Sequence, residues 1–267
     1  MSEIIGFIGT GMIGGALARL SVAAGYRVIL SNSRGPESLT QFVKELGPLA
    51  RAATREEVAA GADLVIATVP LSAYSSLPAV PLTGKIVIDT MNYYPQARDG
   101  GVDRLDQEEV TSSELIQEHL SGSVVVKALH NLDFHHLLVN ARPAGHPERT
   151  TLPVAGDNED AVEKVSAFMQ KIGYDAVHVA SLQESWRIEP GTPVYVWPYV
   201  PQIPESLSPA EARTWYIQHP GMPLSASDVK SLTDSTTRVS PPGGSPAELP
   251  QTHVQLVGEV YARRSQG

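Results

Sequence analysis

Hydrophobic positions along the first two thirds of the chain change period in a regular order. Residues 4–8 are almost continuously apolar, which predicts a parallel strand covered by helices on both faces. Ile13, Leu17, Leu20 and Ala24 then recur at helical spacing, and Gly25 supplies a left-handed stop. Residues 26–31 return to a strand and complete a βαβ unit. Pro36 opens a helix that Gly47 closes, residues 49–53 form a short strand, and Thr54-Arg55-Glu56-Glu57 has the pattern of a capping box. Strong buried strands at 63–69 and 85–90 flank a short element at 72–77, and Thr111-Ser112-Ser113-Glu114 offers a second capping box. Further strands follow at 123–129 and 152–155, separated by a polar loop carrying Asn131, Asp133 and Asn140. Asp157 is placed to cap a helix whose inner face is Val162, Val165, Met169 and Ile172. Gly173 ends that helix, and residues 175–179 give a last strand. Alternation sustained this long predicts an α/β fold, a doubly wound and mainly parallel Rossmann sheet.

The texture changes after about residue 181. Of the 21 prolines, 12 lie between Pro190 and Pro250, where they interrupt regular strands and long helices. Trp186, Trp197 and Trp215 are all here, interleaved with Tyr195, Tyr199 and Tyr216, whose apolar area favours docking over a free linker. The expected organisation is a main domain over 1–181 and an irregular Pro/aromatic-rich cap over 182–267. The cap covers the main domain or a dimer neighbour, and a homodimer is expected from its apolar area.

Composition narrows the function. A net charge of -9 and a pI near 5.4 give no general attraction to nucleic acid or to an anionic membrane. The absence of cysteine removes disulfides, thiol nucleophiles, thiolate zinc sites and iron–sulfur clusters. Met1-Ser2-Glu3 lacks a basic segment and the apolar run after it is short, so a cytoplasmic address is expected, with no membrane partner.

Chemistry enters with Gly9-Thr10-Gly11-Met12-Ile13-Gly14, which follows the first strand and opens the first helix. In such a turn the first glycine permits the bend, the second lets the backbone approach a pyrophosphate, and the third allows close helix–strand packing. The helix N-terminus then presents free N–H groups to the phosphates, so an acidic protein can still bind a dinucleotide. NAD would be expected to meet an Asp or Glu at the end of the second strand. Ser31-Asn32-Ser33-Arg34 stands there instead, and no carboxylate lies between Gly25 and Pro36. Arg34 offers charge-assisted donors to a 2′-phosphate, with Asn32 and Ser33 beside it, so the expected cofactor is NADPH.

Four stretches together resemble the NADPH-dependent deazaflavin (coenzyme F420) reductase family, to which the cytosolic domains of the six-transmembrane ferric reductases are related. They are GFIGTGMIGGALA from Gly6, SNSRGPESL from Ser31, VIDTMNYYP from Val87 and VKALHNL from Val126, and LPVAGDNEDAVEKV from Leu152 looks like the family's final strand–helix unit. The resemblance spans about residues 4 to 187. It implies Thr10, Met12 and Ile13 along the pyrophosphate, and Asn32, Ser33 and Arg34 around the 2′-phosphate. It also implies Val69, Pro70 and Leu71 beside the nicotinamide ribose with Asn92 close by, and Ala128, Leu129 and His130 bordering the nicotinamide, where the hydride partner stacks. Independently, Val69-Pro70, Asn92 and His130 all follow strands, where open α/β sheets bind ligands. The chain departs from the family after Trp186, because Pro190, Gly191 and Pro193 forbid an uninterrupted helix.

Three functions remain open at this level. A small ketone, imine or enone acceptor needs a proton as well as a hydride. His130 is then the preferred acid, on placement and on a near-neutral ordinary pKa, with Tyr93 and Tyr94 as alternatives and Lys127 less favoured because a strand residue can point away. A flavin or deazaflavin acceptor needs only ring-to-ring stacking, so substitution of His130 would then have little effect. A non-catalytic NADPH-binding sensor is the third possibility. The altered tail tips the expectation toward an oxidoreductase acting on a small organic molecule. The group His130, Asp133, His135 and His136 lacks a convincing ligand framework, and no metal is expected.

Overall fold

In the computed structural model, residues 3–264 are described; Met1 and Ser2, part of the N-terminus considered above, lie outside them. The strands are β1 (Ile4–Ile8), β2 (Arg27–Ser31), β3 (Ala50–Ala52), β4 (Leu64–Ala67), β5 (Ile86–Asp89), β6 (Val124–Lys127), β7 (Thr151–Ala155) and β8 (Asp175–Ala180). They form one sheet in the order β3-β2-β1-β4-β5-β6-β7-β8. Pairing is parallel from β3 through β6, antiparallel between β6 and β7, and parallel again between β7 and β8. The expected doubly wound, mainly parallel sheet is present, and the reversal of strand order beside β1 makes the crevice in which such sheets bind ligands.

Alternate residues of the strands feed two cores. Ile5, Phe7, Leu64 and Ile66 pack on one face with Leu17 of the first helix, α1 (Met12–Ala23), and with Val165 and Met169 of the helix Glu159–Ile172. Ile8, Val65 and Ala67 face the other way, toward Val58, Leu82 and Ile116. Coverage on both faces is the physical reason these strands are apolar throughout. Both expected capping boxes form, Thr54 with Glu57 and Thr111 with Glu114. One expected cap does not. Asn158, not Asp157, accepts the N–H of Ala161 at 2.9 Å, while Asp157 accepts that of Leu182 at 2.9 Å and fastens the start of the tail. Only the residue directly before the first helical turn reaches its free N–H groups, and the helix starts one residue later than the pattern suggested.

The tail contains more helix than its prolines suggested. Pro209 opens the helix Pro209–Gln218 behind a Ser208 cap, and Pro246 opens a short 3-10 turn behind Ser245. At the first helical position a proline forfeits no intrahelical bond. The helix Ala226–Asp234 packs against β7 and β8. Ile188, Val194, Tyr199 and Val229 of the tail belong to the same core as β1 and α1. Tyr199 and Tyr216 are fully buried, whereas Trp197 is 59% exposed. No helix among the described residues is long and apolar enough to cross a membrane.

Candidate active site

A cleft of about 540 Å³ lies at the C-terminal ends of β1, β2 and β4. It is lined by Gly9, Thr10 and Gly11, by Asn32, Ser33 and Arg34, and by Val69 and Pro70. The glycine turn owes its shape to local contacts. Gly9 has φ +103°, and a Cβ there would sit 2.5 Å from the Thr68 carbonyl oxygen. A Cβ on Gly14 would strike the Gly9 carbonyl, whereas one on Gly11 meets nothing within 4 Å. The turn is tied down by the Thr10 hydroxyl, which donates to the Ser31 carbonyl at 2.9 Å, and by the Thr68 hydroxyl, which donates to the Gly9 carbonyl at 2.5 Å. The first turn of α1 has no side-chain cap and no acidic residue, so its N–H groups stay available to an anion.

At the far wall Asn32 organises the turn after β2. Its amide donates to the Ser38 hydroxyl at 2.8 Å and its carbonyl accepts the Arg34 N–H at 2.9 Å. Ser33 and Arg34 are exposed to the cleft. Arg55, recognised in the sequence only as part of a capping box, also lines the cleft and donates to the Ser76 carbonyl at 2.9 Å. Its place after β3 becomes visible only once β3 lies beside β2.

The nicotinamide end implied by the family resemblance is arranged differently. Leu71, Ala128 and Leu129 are fully buried, and His130 is 2% exposed. Leu129 adopts φ +59°, an uncommon conformation for a branched side chain, just where β6 ends. Tail residues 188–196 lie over this strand end. The Asn131 amide donates to the carbonyls of Ile188 at 2.9 Å and Val194 at 3.2 Å, and the Val196 N–H donates to the Asn131 carbonyl at 2.9 Å. His130 Nε2 pairs with the same Ile188 carbonyl at 2.9 Å, and Nδ1 is buried with no well-formed hydrogen bond among the described residues. Burial, and then the Lys127 ammonium, push the His130 pKa well below its ordinary value, so the ring is neutral and Nε2 carries the donated proton.

The other candidate acids are also engaged. The Tyr93 hydroxyl donates to Asp106 at 2.7 Å and accepts from the Val102 N–H at 2.9 Å, and burial with the Asp106 bond pushes its pKa up to about 12. Tyr94 shares a 2.7 Å hydroxyl–hydroxyl bond with Tyr195, and burial raises both phenols. Asn92 joins this pair, its amide donating to Tyr195 Oη and to the His130 carbonyl, each at 3.2 Å, while its Oδ1 is buried and unpaired among the described residues. Lys127 is fully buried away from the cleft, within 3.5 Å of both Asp89 and Glu189. Tyr195 was recognised in the sequence only as one of the tail's aromatics.

The loop cluster beyond His130 serves packing. Buried Asp133 caps the N–H groups of His135 and His136 and binds His136 Nδ1 at 2.7 Å and the Tyr216 hydroxyl at 2.6 Å. His135 turns instead to the Ile217 carbonyl at 2.8 Å. Among the described residues no three His, Asp or Glu side chains converge as a metal site.

Residues 4–93 match the family described as NADP oxidoreductase, coenzyme F420-dependent. The matched segment carries every residue that lines the glycine-turn cleft, from Ile8 to Ser76, and it ends at Tyr93. The match supports an NADP-dependent oxidoreductase. Among solved structures, the hypothetical protein SMa0349 from Sinorhizobium meliloti is 28% identical, covering 73% of this chain and 93% of its own, with a TM-score of 0.63. An Arthrobacter sp. FB24 protein described as an F420-dependent NADP-reductase shares the fold at 23% identity and a TM-score of 0.57, over 68% of this chain and 86% of its own. The Escherichia coli (strain K12) protein YjhV is 39% identical over 56 residues, 21% of this chain. That match spans 41% of the length of YjhV.

Proposed function

We propose that the chain is an NADPH-dependent reductase that passes hydride to a small organic acceptor. The cleft suits the dinucleotide on three grounds. The space above Gly11 is open, the first turn of α1 has free N–H groups, and the Arg34 guanidinium, unlike its backbone N–H, has no protein partner among the described residues. The unpaired Asn92 Oδ1 adds a buried acceptor that a carboxamide or ribose donor would satisfy. NADPH held there would supply the hydride.

The observation that carries the choice of acceptor is the tail laid over the end of β6, with Asn131 fastened to Ile188, Val194 and Val196. A flat tricyclic coenzyme stacking on Ala128 and Leu129 would have to displace this segment. Tyr195, whose hydroxyl accepts from Asn92, also walls a cavity of about 230 Å³ together with Tyr94 and Trp197. Sites for drug-sized ligands run from about 300 Å³ upward, so this volume suits a smaller molecule.

The test is NADPH oxidation followed against a panel of small ketones, imines and enones in parallel with flavins and a deazaflavin. Turnover confined to small acceptors is the expected result. Turnover with the ring coenzymes alone would overturn it, and tight NADPH binding with no turnover at all would favour the sensor.

A further inference from the structure

The cavity between Tyr94, Tyr195 and Trp197 combines aromatic walls with a carboxylate. Tyr94 follows β5, Tyr195 and Trp197 come from the tail, and Glu248 lies in the 3-10 turn Pro246–Glu248. Among the described residues Glu248 is the only carboxylate lining the cavity, and no Lys, Arg or His lines it. The Trp197 indole donates to the Glu248 carbonyl at 2.6 Å, which fixes the ring to the segment that bears the carboxylate. Glu248 Oε2 accepts the Ser245 N–H at 3.1 Å, and no hydrogen bond engages Oε1 among the described residues. Arg98 lies over the Tyr94 ring at 5.4 Å, but it is held on Asp99 at 2.8 Å and on the Asn92 carbonyl.

We propose that this cavity takes a small organic cation, and that the hydride acceptor is a protonated imine. The second half rests on the reductase reading above. Aromatic rings beside a carboxylate favour a cation over a neutral molecule of the same shape, through the ring quadrupoles and direct charge attraction. The surrounding acids give an independent reason. A ketone needs a proton along with the hydride. His130 is neutral with its N–H on Ile188, Tyr93 gives its proton to Asp106, and the Tyr94 and Tyr195 phenols are held above their ordinary range by burial. A protonated imine brings its proton with it. Its C=N carbon accepts the hydride and forms a C–H bond, the π pair becomes the nitrogen lone pair, and NADPH is oxidised to NADP⁺. The product is a neutral amine, which takes up a proton from solvent on leaving.

The test is calorimetry on the full chain without nucleotide, using choline as the cationic probe and 3,3-dimethylbutan-1-ol as its neutral isostere. Choline is expected to bind roughly tenfold more tightly than the isostere, and Glu248→Gln or Trp197→Ala to remove most of that preference. Gln keeps a side-chain acceptor for Ser245, and Trp197 is exposed, so both variants should fold. Equal binding of the two probes, or no binding of choline, would overturn the cation site. NADPH affinity measured on the same samples separates this from the reductase reading. Failure to bind NADPH would sink the reductase and the protonated-imine step, while a choline preference would still establish the cation cavity.

Discussion

The hydroxyl oxygens of Tyr94 and Tyr195 lie 2.7 Å apart although 101 residues separate them in the chain. One belongs to the loop that follows β5 and the other to the tail, and Asn92 binds the second of them at 3.2 Å. Through this pair the tail becomes a wall of the site, so changes in residues 188–196 are expected to reach the acceptor as well as stability.

The two inner glycines of the turn should fail in different ways. Gly14→Ala places a methyl against the Gly9 carbonyl and should lower Tm by several degrees or prevent folding. Gly11→Ala projects into open space, so Tm should hold while NADPH affinity falls at least tenfold. Thermal melts and binding titrations on both variants check this, and a Gly11→Ala protein with unchanged affinity would remove the cleft as the pyrophosphate site.

Arg34→Ala should weaken NADPH by about tenfold or more while leaving NADH within a factor of two, since only the 2′-phosphate differs between them. A charge-assisted hydrogen bond contributes about 1.5–3 kcal/mol, and the exposure of Arg34 places the effect at the lower end of that range. Equal losses for the two nucleotides would show that Arg34 does not face the 2′-phosphate.

Lys127→Met should destabilise the fold by about 3–5 kcal/mol, the cost of leaving the buried Asp89 carboxylate without its cation. Lys127 also donates to the Met91 carbonyl at 2.9 Å and to the Ser112 hydroxyl at 3.1 Å, so it joins β5, β6 and the tail residue Glu189 at one point. Denaturant midpoints measure the loss, and a change below 1 kcal/mol would show that the network relaxes around the gap.

The depressed pKa of His130 predicts a pH dependence of known sign. In the unfolded chain the imidazole gains a proton below its ordinary value of 6.5, while the folded protein keeps it neutral. Stability from this group is therefore full above that pH and declines as pH falls below it, toward the lower folded value. His253 is shifted in the same direction by burial and adds to the decline. His130→Gln should flatten the fall in stability between about pH 6.5 and 5 and should leave turnover of an imine largely intact. Abolished turnover in a folded His130→Gln protein would return the imidazole to the role of proton donor.

Much of the α/β organisation was legible because burial on both faces forces long apolar strands, and glycine, proline and capping boxes mark where each element stops. Gly9 to Gly14 and Asn32 to Arg34 could be found for the same reason, since their geometry follows from neighbours within a few residues. Asp157 was misplaced by one position because a cap depends on which residue enters the first turn. The tail's helices were missed because a proline at a first helical position has the same sequence signature as one that breaks a helix.

By itself, the sequence determined the parallel sheet, the glycine turn and the lack of a carboxylate beside Arg34, all properties of short, locally encoded segments. Tertiary structure alone decided that Arg55 shares the cleft, that Lys127 meets Asp89 and Glu189, and that Tyr195 and Trp197 stand beside Tyr94. These contacts join segments that are far apart in the chain. Strand pairing brings Arg55 to the cleft and Lys127 to Asp89, packing of the tail against the sheet brings in Glu189, Tyr195 and Trp197, and no local period of apolar residues carries that information.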